Sequence, residues 1–104
     1  MNAMTITHPT NPDITATLGF DHAIKFFVDI TSKRRRFSYS AIEPGYDHER
    51  PLWGALRFLA AHGFYTEDDL HDALSGLQDG TIDELPERVQ QIGEVVWAFK
   101  RAAD

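Results

Sequence analysis

Residues Pro51 to Phe64, PLWGALRFLAAHGF, constrain the fold of this chain more than any other stretch. Between Leu52 and Ala61 the sole charge is Arg57. Leu, Ala and Arg favour helix, and nothing after Pro51 interrupts one until Gly63. The apolar residues Leu52, Trp53, Leu56, Phe58, Leu59, Ala60 and Ala61 spread around most of the cylinder instead of forming a stripe. A helix of that kind is buried on several sides. It is too short to cross a bilayer, which takes about 20 apolar residues. It must therefore sit inside a small fold, as a middle layer with other elements packed on it. Pro51 suits a first turn, and Gly63 suits the left-handed residue that follows a helix.

The chain has 104 residues, enough for one domain with a core that needs no staples. It has no cysteine, which excludes disulfides, thiolate metal sites and thiol catalysis. The opening residues MNAMTITHPTNP lack the basic and apolar regions of a secretory signal. No stretch is long enough to span a membrane. A cytoplasmic protein with no membrane partner is the expectation. Residues 1–12, polar and carrying Pro9 and Pro12, read as a flexible tail, with a single globular domain over 13–104.

Alternation marks strands. Ile14, Ala16, Leu18 and Phe20 fall on one side, with Thr15, Thr17 and Gly19 on the other. Ile24, Phe26, Val28 and Ile30 alternate in the same way except at Phe27, and Phe37, Tyr39 and Ala41 follow. Ser32 to Arg35 form a polar hairpin loop, and Glu43-Pro44-Gly45-Tyr46 carries the signature of a type II turn. The reading is a small antiparallel meander of two or three strands over about 14–42; a helix over about 20–33, making the protein all-α, is the rival.

Helix signals fill the remainder. Thr66 caps a helix over about 66–78, with Glu67, Asp68 and Asp69 where its dipole favours acids. A last helix over about 83–102 keeps Pro86 in its first turn and buries Val89, Ile92, Val96 and Phe99. With the helix over about 51–63, the expected fold class is α+β: a small sheet packed with three C-terminal helices.

Charge is unevenly placed. The net charge is -6, and from Glu67 to Glu94 nine acids face one base, Arg88. From Lys25 to Arg57 seven bases stand against four acids. Such asymmetry bears on partners, not on fold. Its plain meaning is solubility. Its sharper meaning is a docking face, Glu67, Asp68, Asp69 and Asp72, for a basic protein partner. Tyr65 and Trp97, the latter off the stripe of its helix, are the aromatic anchors beside it or a homodimer contact.

Other chemistry is thinly supported. Lys33, Arg34, Arg35 and Arg36 could grip phosphate or nucleic acid, yet four residues at a hairpin tip equally guard a sheet edge. Helix-turn-helix reading by 66–77 would push an acidic face against phosphates, which argues against nucleic acid as partner. His48 with Glu43, Asp47 and Glu49 could make a small metal-binding or hydrolytic site, but its spacing matches no metal pattern. There is no glycine-rich phosphate loop and no nucleophile elbow. The sequence names no catalytic residue, metal ligand or cofactor. It describes a small non-enzymatic interaction or accessory protein.

Overall fold

Period-two alternation begins earlier in the chain than the tail reading allows. In the computed structural model, which describes residues 2–104, Met4 and Ile6 alternate with Thr5 and Thr7 along a strand, β1 (Asn2–Thr7). Three more strands follow, β2 (Thr15–Asp21), β3 (Lys25–Thr31) and β4 (Arg36–Tyr39). They form one antiparallel meander in the order β1-β2-β3-β4. The expected flexible tail over 1–12 is thus corrected for Asn2–Thr7: Met4 lies opposite Leu18 and Ile6 opposite Ala16. The composition there is uncharged and polar, so two apolar residues carry the whole signal.

The rival helix over 20–33 is overturned by β3, which pairs with β2 on one side and β4 on the other. Val28 and Ile30 face the core with Ala16, Leu18 and Tyr39. Phe27, which breaks the alternation, is buried on the other face, opposite Gly19. A ring can lie over a glycine's bare backbone there. That outer face is otherwise polar, with the Thr15 and Thr31 hydroxyls 3.1 Å apart. Asp29 accepts hydrogen bonds from Ser38 and Arg36.

Three helices cover the inner face. They are α1 (Pro51–Ala61), α2 (Glu67–Asp79) and α3 (Glu87–Ala103). α1 packs on β3, and α3 packs on β2 and β1. α2 lies on α3 and, less extensively, on α1. Two helices therefore share the layer expected for the mid-chain helix alone. Within α1, Leu56 is 2% and Leu59 0% exposed, and only Arg57 and Ala61 are open to solvent. Apolar character all round the cylinder does correspond to burial on several sides.

Two local expectations change. Leu85 is extended (φ -92°, ψ 163°), as a residue before proline tends to be. Ile82–Glu84 accordingly form a separate 3-10 turn, and α3 starts at Glu87, after Pro86, not near residue 83. The turn at Glu43–Tyr46 closes with the Tyr46 N–H donating to the Glu43 carbonyl at 3.2 Å. Gly45 is outside the left-handed region that a type II turn needs, so the turn belongs to another class. Gly63 (φ 81°) and Gly80 (φ 74°) are left-handed and end α1 and α2.

Candidate functional site

The helical layer does not close completely over the edge strand. Between β1, the N-terminal half of α3 and the α1–α2 turn lies a groove of ≈ 750 Å³. Its lining is mainly apolar, with Met4, Ile6, Phe64, Ile92 and Val95 among it, and also carries the charged Asp69, Arg88 and Glu94. Tyr65 and Asp69, two residues of the expected docking face, line it. Trp97 borders a smaller hollow that shares Met4 and Glu94 with the groove. Tyr65 and Trp97 thus flank one trough beside β1.

Each of these side chains is placed by its own element. The Thr66 hydroxyl accepts from the Asp69 N–H at 3.1 Å, capping α2 as expected and fixing the first-turn acids around it. The Tyr65 hydroxyl donates to the Leu56 carbonyl at 2.7 Å, which ties the α1–α2 turn to α1. Burial pushes this phenol well above its usual range, so it stays a neutral donor. Trp97 is 57% exposed because α3 turns Val96 and Phe99, not residue 97, toward the core.

The acidic face is not uniformly free. Glu67 pairs with Arg57 at 3.0 Å, and Arg57 also lies 6.0 Å from the centre of the Trp53 ring. Asp69 pairs with Arg88 at 3.0 Å across α2 and α3. Asp68 and Asp72 are exposed, and neither makes an ion pair among the described residues. The four acids therefore divide into two that brace helices and two that present charge.

The basic run divides in the same way. Lys33 lies 3.6 Å from Asp13 and Arg36 lies 3.0 Å from Asp29, while Arg34 and Arg35 project from the β3–β4 loop. Burial raises the Asp29 carboxyl, but hydrogen bonds from Ser38 and Arg36 and the guanidinium charge outweigh it and hold the group below its usual value.

Around His48 the Asp47 carboxylate serves the backbone. Asp47 Oδ1 accepts from the N–H groups of Glu49 at 3.0 Å and Arg50 at 2.9 Å, steering the chain into α1. His48 is exposed, with its ring edge-on to Tyr46. Among the described residues no three His, Asp or Glu side chains converge in a way that could hold a metal ion.

Sequence reasoning missed Met4, Ile6 and Arg88 as parts of the trough. Alternation at residues 4–7 was the available signal for the first two. For Arg88 the signal was its isolation as the one base among nine acids. Comparison with protein-family models, curated proteins and solved structures finds no match for this chain.

Proposed function

We propose that the protein is a small non-enzymatic docking module of the cytoplasm that binds a basic protein partner along the trough between Tyr65 and Trp97. The observation that carries this reading is the apolar groove beside β1, with one aromatic at each end and the acidic first turn of α2 at its rim. Exposed Trp97 supplies contact area at one end of an apolar hollow, Tyr65 is a fixed part of the wall at the other, and the surrounding charge supplies selectivity and steering. The net charge of -6, with nine acids to one base between Glu67 and Glu94, favours a cationic partner approaching the helical side.

The decisive test separates acids that present charge from acids that brace the fold. Wild-type protein and a D68K/D72K variant, with neither residue ion-paired, are used to capture partners from lysate. Specific proteins retained by wild type and lost by the variant, with sensitivity to added salt, support the reading. Equal retention by both removes the acidic face from it. A W97A variant with undiminished capture removes the aromatic anchor.

A further inference from the structure

We propose that the free edge of β1 receives an extended segment of a cationic protein partner. The segment adds to the sheet as a further strand and directs alternate apolar side chains into the groove. This rests on the docking reading above and gives it a binding mode.

The backbone supplies the first argument. The His8 N–H donates to the Ile14 carbonyl at 2.9 Å, in register with the β1–β2 ladder. Hydrogen-bonding direction alternates along an antiparallel strand, so Met4, Ile6 and His8 turn their amides toward β2. Ala3, Thr5 and Thr7 turn theirs outward, and no described residue meets them.

The second argument is that this edge is unguarded. Folded proteins protect free edges with charge, proline or very short strands. β1 is six residues long, Asn-Ala-Met-Thr-Ile-Thr, with neither charge nor proline. The opposite edge, β4, is four residues long and carries Arg36 beside the basic loop. Of the two edges, β1 is the longer and the less guarded.

The groove supplies the third. Met4 and Ile6, the inward side chains of β1, are only half-buried and lie in its wall. A strand added at the usual spacing of about 4.8 Å would bring its own inward residues beside them, at the mouth of the groove.

Charge selects the occupant. The groove opens onto Thr66 and Asp69, next to Glu67 and Asp68, and Glu94 lines its other wall. Arg88 in the same lining is taken up by Asp69, Arg57 takes up Glu67, and Arg101 lies beyond, in the hollow at Trp97. The charges left without an ion pair at the groove itself among the described residues, Asp68 and Glu94, are therefore negative. A second copy would have to pair Thr5 with its own symmetry mate to use all three outward amides. That register brings together, edge to edge, two molecules that each carry a net charge of -6. A basic heterologous strand meets no such repulsion.

The probe is a synthetic peptide of alternating valine and threonine with lysines at each end, added to the intact protein. Amide exchange at Ala3, Thr5 and Thr7 should slow by about tenfold when the peptide is at about ten times its Kd. Thr5→Pro removes the central outward N–H, a change an edge strand tolerates, and should weaken binding at least about tenfold. Thr5→Val keeps the backbone and should bind as wild type. A peptide N-methylated at alternate residues should fail against unaltered protein, so the proposal remains testable even if Thr5→Pro disturbs folding. Unchanged binding by Thr5→Pro, or protection confined to α2, overturns strand addition. So does a self-associated protein that Thr5→Pro converts to monomer, since the occupant is then a second copy. If D68K/D72K weakens binding while the β1 amides stay unprotected, docking stands and its proposed mode falls. If the β1 amides are protected equally in both proteins, strand addition stands and the acidic face falls.

Discussion

Gly54 shows how one missing side chain can fix the relation of two elements. A Cβ at this position would collide with the Tyr39 hydroxyl and come within 3.0 Å of the Asp47 Cβ. The Tyr39 hydroxyl occupies that space because it donates to the Pro51 carbonyl at 2.9 Å and accepts from the Asp47 N–H at 3.3 Å. One phenol thus clamps β4, the following loop and the start of α1. Alanine is the better helix former by about 1 kcal/mol, but overpacking costs about 1–3 kcal/mol, so we expect Gly54→Ala to destabilise in urea unfolding. The same substitution in a Tyr39→Phe background should cost less, because the atom nearest the new methyl group is gone. Equal costs in the two backgrounds would show that the clamp is not what excludes a side chain here. Tyr65 offers a second test, through pH. Burial raises its phenol above the ordinary value of 10.0. The stability linked to this shift is fully present below pH 10.0 and is lost as pH rises toward the folded-state value. Tyr65→Phe removes the bond to Leu56, so we expect a loss of about 1 kcal/mol at neutral pH. The gap from wild type should narrow as the solution is made strongly alkaline, which urea midpoints across that range would show. Tyr39 and Tyr46 are also shifted upward by burial and remain in both proteins, so the alkaline decline should flatten without vanishing.

Among the three α-helices, α2 has the most plainly written sequence and the smallest buried share: of its 13 residues only Leu70, Ala73 and Gly76 are buried. Its N-terminus depends on the Thr66 hydroxyl, and its other end on left-handed Gly80. We expect Thr66→Ala to cost about 1 kcal/mol and Leu59→Ala, in the core of α1, about 2–5 kcal/mol. A calorimetric series reversing that order would mean that α1 is not the buried helix its sequence describes. α1 and α2 were legible because several signals agreed in each: Pro51, Gly63 and an apolar run for α1, and the Thr66 cap, first-turn acids, Gly80 and an apolar stripe for α2. β3 was ambiguous because Phe27 fits a helical face and breaks the strand alternation, and its burial follows from its place opposite Gly19 on β2. β1 escaped notice because a six-residue uncharged strand differs from a tail only by two apolar residues and by pairing with a partner strand. The candidate site divides along the same line. Tyr65, Asp69 and Trp97 could be named from local pattern, whereas the groove at the first two and the hollow at the third exist only after β1 has docked beside α3.

At the scale of the whole molecule, the acids expected to attract a partner also strain the fold that carries them. Nine acids and one base lie between Glu67 and Glu94. α2, the 3-10 turn and the start of α3 pack together and hold those charges on adjoining surfaces. Two contacts oppose the repulsion, Arg57 with Glu67 and Arg88 with Asp69. Both guanidinium groups are more than half exposed, so each pair contributes at most about 1 kcal/mol. Salt weakens repulsion and attraction alike, since the screening length falls to about 10 Å at 0.1 M. The sign of the response therefore depends on which is larger, and uncompensated acids outnumber the pairs. We expect thermal stability to rise as sodium chloride is added from low ionic strength, and the rise to shrink in a D72N/D79N variant, which removes two exposed acids of α2. A fall with salt would show that the two ion pairs outweigh the repulsion, and that this face is a braced surface with little excess field. A rise would mean that a cationic partner, by neutralising the same carboxylates, stabilises the domain on binding by more than its direct contacts provide. In that case an added cationic strand should raise the unfolding temperature most at low salt, where the self-repulsion it relieves is greatest.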